Sequence, residues 1–282
     1  MSRHTLNPAL PILVRPDGVV QVGWDPLRAK LVRTPAGLTA AALADVLRAL
    51  QAGATVAELR ALAENRGGTD LDAVAELVES LETAGLVTEI RPRARAATIR
   101  IHGRGPLSDL LASSLRCSGA RVRNSRFGHA FGASETTDLV LLSDFLVTDP
   151  HVVHDLHAVG VPHLPVRVRD GTGLIGPLVI PGVTSCLRCA DLYRCDRDAD
   201  WPAVAAQLRG TVGTADRATV LATAALALNQ VQGVIASIDA GRVIGGVGSP
   251  PATLNTTLEF DVATGTTTAR HWTHHPGCEC LR

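Results

Sequence analysis

Apolar residues recur along this chain with two different periods. Near the start, Ile12 to Val14 and Val19 to Val22 flank Pro16-Asp17-Gly18, a turn signal between short alternating runs that predicts a β-hairpin. The pattern then becomes helical: Leu43, Val46, Leu47 and Leu50 after Thr39; Leu59 and Leu62 after Thr55; Leu71, Val74, Leu77, Val78 and Leu81 after Thr69. Each set fits one helix face. Thr55 and Glu58 form a capping-box pair, and Gly53, Gly67 and Gly85 stand where helices can stop. Leu86 to Ile90 reads as a closing strand. These elements describe a small winged-helix-like α+β module. Arg91-Pro92-Arg93-Ala94-Arg95 serves as a linker and divides the chain into domains 1–95 and 96–282.

Beyond the linker, strands alternate with helices, which implies an α/β domain with a Rossmann-like, mostly parallel sheet. Thr98 to His102 is a strand, followed by Gly103-Arg104-Gly105-Pro106-Leu107-Ser108 and a helical run through Leu110, Leu111 and Leu115. Ala120 to Arg123 and Leu164 to Val168 read as strands, and Asp138 to Leu142 as a fully buried one ending at Asp144. Ala215 to Ala240 reads as a long buried helix. Thr253 to Val262 and Thr266 to Trp272 form a terminal hairpin around Ala263-Thr264-Gly265.

Charge narrows the classes of partner. The 27 basic and 27 acidic residues cancel, so no broad positive field invites nucleic acid or a membrane surface. The third helix of the first module carries Asp70, Asp72, Glu76, Glu79 and Glu82, which repel phosphates. The groove between strand and helix could instead take an extended peptide as an added strand; a packing or dimerisation module is the plainer alternative. The opening residues lack a signal-like apolar core, and Ala218 to Ile238 is interrupted by Asn229, Gln230, Gln232 and Gly233. A cytoplasmic location is expected, where six cysteines serve as metal ligands or buried thiols.

Four of those cysteines have metal-ligand spacing. Cys186-Leu187-Arg188-Cys189 and Cys278-Glu279-Cys280, the latter after Pro276-Gly277, form two close pairs that together complete a tetrathiolate. A closed set of four leaves no open position for substrate, so the expected ion is structural zinc. Cys195 and His275 are reserve ligands, and Cys117 reads as a buried small hydrophobe. His151, His154 and His157 read as a solvated helix face.

The turn after the first strand of the second domain is nucleotide-like but incomplete. Gly103 and Gly105 would let backbone N–H groups approach a phosphate, yet Ser108 replaces the third glycine and Pro106 removes a donor. Arg123-Asn124-Ser125-Arg126 stands where an acid would hold the ribose, and no acid follows until Glu135. Lys30, the one lysine, lies in the other domain. Asp144 is a candidate magnesium ligand. Arg123 and Arg126 leave a dinucleotide-binding oxidoreductase open, although no catalytic Tyr-Lys pair accompanies them.

Several segments together resemble a known family. They are Gly176-Pro177-Leu178-Val179-Ile180-Pro181-Gly182, Cys186 to Leu192, Asp200-Trp201-Pro202, Gln207-Leu208 and His275-Pro276-Gly277-Cys278-Glu279-Cys280. They look like the zinc segments of the peptide-binding partner proteins of YcaO-type cyclodehydratases, in the ubiquitin-activating, ThiF-like superfamily. The resemblance implies that the first domain recognises the leader of a ribosomally made precursor peptide. It also implies a YcaO-type enzyme as second partner, and a homodimer. Of the superfamily's adenylating apparatus only Gly103, Gly105 and Asp144 match, which argues against ATP and magnesium and for a noncatalytic role. The alternatives are an active adenylyltransferase and a structural dimerisation scaffold.

Overall fold

The computed structural model describes residues 2–90, 95–125, 136–239, 244 and 250–280 of the 282-residue chain. It separates into two compact units, Met1–Pro92 and Arg93–Arg282. All but Arg95 of the expected linker lies outside the described residues, as do Arg126 and Glu135.

The first unit contains strands β1 (Arg3–Leu6), β2 (Ile12–Val14), β3 (Val20–Val22) and β4 (Lys30–Val32), then α1 (Ala40–Ala52), β5 (Ala54–Thr55), α2 (Val56–Asn65), α3 (Asp72–Thr83) and β6 (Val87–Ile90). The hairpin gains a third strand, giving the order β2-β3-β4, while the closing strand joins a separate sheet ordered β5-β1-β6. Leu43, Leu47 and Leu50 of α1, Leu59 of α2 and Val74, Val78 and Leu81 of α3 meet Leu6, Val20 and Val22 in one core. Each such side chain contributes about 1.5–3 kcal/mol.

Caps fix where these helices begin. Thr39 Oγ1 accepts from the Ala42 N–H at 3.1 Å, and the Thr55–Glu58 capping box closes reciprocally at 3.2 and 2.8 Å. Thr69 does not cap α3. Its hydroxyl donates to Ala36 O, and the Asp70 carboxylate accepts from the Ala73 N–H at 3.1 Å instead. Asp70 is closer to the helix and has the stronger acceptor.

The second unit runs β7 (Thr98–His102), α4 (Pro106–Cys117), β8 (Arg121–Ser125), β9 (Leu139–Ser143), α5 (Pro150–Ala158), β10 (His163–Arg169), β11 (Thr172–Ile175), α6 (Leu187–Cys195), α7 (Trp201–Leu208), α8 (Arg217–Asp239), β12 (Thr256–Asp261) and β13 (Thr266–His271). Its seven strands form one sheet ordered β13-β12-β11-β10-β9-β7-β8. β8, β7, β9 and β10 run parallel, and β11, β12 and β13 extend the sheet antiparallel. The chain order reverses between β7 and β9, the switch point at which open α/β sheets bind ligands.

Strand alternation gives the sheet two cores. Ile99, Ile101, Leu139, Leu141, Leu164 and Val166 face α4 and α8, whereas Val140 and Leu142 pack with α5, Leu187 and three of the cysteines. By length and composition α8 could cross a membrane, with a mean hydropathy of 1.4 over an 18-residue window within Arg217–Ile238. Its Ala224, Ala227, Val231 and Val234 are nonetheless buried in the first of these cores.

Candidate metal centre and nucleotide-like turn

Cys186 is the N-cap of α6 and Cys189 lies in its first turn, so both sulfurs stand at the positive end of a helix dipole. The hairpin β12–β13 delivers the other pair. Asn255, just before β12, accepts from the Ser185 N–H at 2.8 Å and the Ser185 hydroxyl at 2.9 Å, and its carbonyl accepts from the Trp272 N–H at 2.7 Å. One asparagine thus ties the residue before Cys186 to the strand leading towards Cys278.

The resulting cluster has the dimensions of a tetrathiolate. Cys186 Sγ lies 3.8 Å from Cys189 Sγ and 3.6 Å from Cys278 Sγ, and Cys189 Sγ lies 3.6 Å from Cys280 Sγ. All four sulfurs fall within 4.8 Å of one another. Bonds of about 2.3 Å to a tetrahedral ion require sulfur separations near 3.8 Å, so this group could hold a metal ion. Cys186, Cys189 and Cys278 are buried, and Cys280 closes the outer side.

Electrostatics point the same way. Burial pushes the Cys186 thiol far up and the Cys280 thiol up to about 12. Cys189 meets the same burial, but backbone N–H groups at His275 and Cys186 outweigh it and lower its pKa. A cation at the centre is what lets four crowded thiols ionise together.

Neither reserve ligand belongs to the cluster. His275 Nδ1 accepts from the Gly277 N–H at 3.0 Å, which leaves Nε2–H to donate to Asp196 at 2.9 Å. Cys195 lies outside the four-sulfur group. Cys117 is exposed, correcting the expectation of a buried thiol: it follows Leu115 by two positions, which turns it off the stripe of Leu107, Leu111 and Leu115. His151 and His154 are exposed as expected, but His157 turns inward against His163, their ring centroids 5.7 Å apart.

At the glycine turn, the structure places the sequence-picked residues together in an unanticipated way. Asp144 adopts a left-handed backbone (φ 70°), rare for a residue with a side chain, which swings its carboxylate onto the N-terminus of α4. The carboxylate accepts from the Leu107 and Ser108 N–H groups, both at 3.0 Å, and from the Ser108 hydroxyl. Ser108 also bonds Ser143 Oγ at 2.9 Å. Asp144 is 1% exposed. An internal anion therefore occupies the donors that a glycine turn of this kind offers a phosphate. Gly103 is required for a different reason, since a β-carbon there would lie 2.3 Å from Ser143 O.

The space beside this turn is small. His102, Ser143, Phe145, Asp149 and Arg209 help line a pocket of about 170 Å³, below the roughly 300 Å³ at which small-molecule clefts begin. Residues 209–213 lie across the carboxyl end of β9, with Thr211 O accepting from Leu146 N–H and Asp144 O from Gly213 N–H, each at 2.9 Å. At the end of β8, Ser125 Oγ bonds His102 Nδ1 at 3.2 Å. Burial lowers the His102 pKa, which favours a neutral ring there.

A parallel sheet with a glycine turn at its switch point, joined by a hairpin to four clustered cysteines, is the ThiF-like, ubiquitin-activating-like fold that the motifs resemble. No family model and no curated protein matches the sequence. Solved structures match the fold. A heterocyclase in complex with substrate and cofactor superposes over all of this chain with TM-score 0.68 and 14% identity, and the heterocyclase TruD likewise with 0.67 and 15%. This chain spans 40% and 43% of those two chains. E. coli MccB with MccA-N7isoASN aligns over the full length of both chains, with TM-score 0.62 and 14% identity. MccB has also been solved with ATP, and that structure matches with TM-score 0.60.

Proposed function

We propose that this protein is a noncatalytic partner that binds the leader of a ribosomally made precursor peptide and presents the precursor to a YcaO-type cyclodehydratase. The observation that carries the reading is Asp144. Activating a carboxylate with ATP requires donors left free for phosphate and counter-charge around it. Here the helix N-terminus is filled by a buried carboxylate, and a nucleotide phosphate would meet that negative charge. On this reading Gly103, Gly105 and Asp144 form a retired nucleotide turn that now has a structural task.

The leader would dock on the first unit, read as winged-helix-like. β4 is an edge strand, so an extended peptide can add beside it through main-chain hydrogen bonds. Leu31 on that strand is 53% exposed, and Trp24 and Leu27 just before it are 78% and 95% exposed. Such apolar exposure on a small unit fits a peptide surface. The acids Asp72, Glu76 and Glu79 on α3 disfavour nucleic acid.

We assign zinc to the four cysteines, as a structural ion, and place the protein in the cytoplasm as a homodimer. The competing reading is an active adenylyltransferase, favoured by the ATP complex of full-length MccB in the same fold. ATP–pyrophosphate exchange with the purified protein and candidate precursor peptides separates the two. Background exchange together with leader binding supports the partner role, and robust exchange overturns it.

A further inference from the structure

The second unit holds a larger pocket of about 470 Å³, formed by the loop after β9, the end of β10 and the helices α6 and α7. Its volume lies within the roughly 300–1,000 Å³ of small-molecule clefts. Neither the cysteine cluster nor the glycine turn accounts for it.

Arg167 is the first unusual feature of this pocket. Strand alternation sends Leu164, Val166 and Val168 into the core beneath α4 and α8, so Arg167 projects from the opposite face. Its Nη1 donates to Leu146 O at 2.6 Å. Among the described residues no carboxylate stands within ion-pair distance of it. Burial lowers its pKa to about 10, with Arg194 and Arg169 pressing in the same direction and Asp191 opposing them, so it is still charged at neutral pH. A largely buried cation with no carboxylate in direct contact and only Asp191 acting on it from farther off is costly, and an anion entering the pocket would relieve that cost.

Arg194 is held ready beside it. It pairs with Asp191 at 2.7 Å, and its guanidinium carbon lies 5.3 Å from the Trp201 ring centroid and 5.2 Å from that of Trp272. Asp191 also accepts from Trp201 Nε1 at 3.3 Å. Stacking and ion pairing fix this guanidinium before any ligand arrives.

The charge balance selects the ligand. Arg167, Arg169, Arg194 and Arg197 face Asp170, Asp191 and Asp198, an excess of one positive charge. That suits a monoanion, whereas the three carboxylates would repel a phosphate dianion. Leu146, Val147, Val153, Leu187 and Leu208 make the remaining wall apolar.

We propose that this pocket binds a carboxylate borne on an apolar body, with Arg167 and Arg194 forking the carboxylate and Leu187, Leu208 and Trp201 holding the body. A small organic acid and the free carboxyl end of a hydrophobic peptide share this chemistry. The site lies wholly within the second unit, and leader docking is assigned to the first, so either assignment can fail without the other.

Calorimetric titration of the full chain tests the pocket with octanoate against octanamide, N-acetyl-Leu-Leu acid against its amide, and inorganic phosphate. At least one acid is expected to bind, with its amide roughly tenfold or more weaker. Binding of octanoate alone identifies a small acid, and binding of the peptide acid alone identifies a chain terminus. Arg167→Met should abolish acid binding and keep the fold, because replacing a buried charge by an apolar isostere is commonly tolerated. Equal binding of acid and amide, a preference for phosphate, or no acid binding up to about 10 mM, weaker than any functional pocket, overturns the assignment. The acid–amide comparison on the unaltered protein decides the matter even if the variant does not fold.

Discussion

Gly105 lies so close to Asp144 that a β-carbon on the glycine would sit 2.6 Å from Asp144 Oδ1. The contact locks the glycine turn around the carboxylate. Gly105→Ala is therefore expected to push Asp144 off the α4 N-terminus and cost about 1–3 kcal/mol, as overpacking does. Denaturant unfolding checks this. An unchanged midpoint would mean that the turn yields freely.

Cys278→Ser removes a ligand from the sulfur cluster and frees the hairpin end. Zinc content is expected to fall from about one ion per chain to background. The melting temperature should drop by about 10 °C, corresponding to roughly 3–4 kcal/mol in a unit of this size. Elemental analysis with calorimetry reads both. Cys117→Ser, at an exposed thiol outside the cluster, is the control and should change neither.

Leu31→Asp places a charge on the exposed face of β4. It should weaken leader binding by roughly tenfold or more while leaving stability within about 0.5 kcal/mol, as surface changes usually do. Fluorescence anisotropy with a labelled leader peptide measures the first and thermal melting the second. Unaltered affinity would move the docking site off this strand.

His163 gives the second unit an acid limb. Burial, against a weaker opposing effect of its Nδ1–H bond to Val161 O, lowers its pKa from 6.5 to about 4, and its buried Nε2 has no hydrogen-bond partner among the described residues. Above pH 6.5 the ring is neutral in both folded and unfolded chains, so it adds no pH dependence. Between about 6.5 and 4 the unfolded chain takes up a proton that the folded chain refuses, and stability falls with pH. The loss is on the order of 3 kcal/mol. Relative to the unaltered protein, His163→Leu should flatten that part of the stability curve, followed by urea unfolding at stepped pH.

Much of this architecture is legible in the sequence because local signals and burial agree. Thr39, Thr55 and the apolar stripes place α1, α2 and α3, and the run from Leu139 to Leu142 reads directly as a strand covered on both faces. The two cysteine pairs announce a cluster from spacing alone. The strands β1, β4 and β11 escape because each is short and finds its meaning in a distant partner: Arg3-His4-Thr5-Leu6 has one apolar residue, yet it is the central strand of its sheet. From sequence Asp144 reads as a strand end and a candidate magnesium ligand. Its actual task depends on a left-handed backbone and a helix that begins 38 positions earlier, at Pro106, and neither leaves a local trace.

The cysteine pairs are far apart along the chain, 92 positions between Cys186 and Cys278 and 91 between Cys189 and Cys280. A ribosome making this protein releases the first pair long before the second exists, so an early ion meets only half a cage. Metal capture must wait until α7, α8 and the hairpin have been synthesised. An ion held by the four cysteines would thus act as a latch on a body already assembled, and a cell short of that metal would then accumulate chains that are folded in the middle and loose at the final strands.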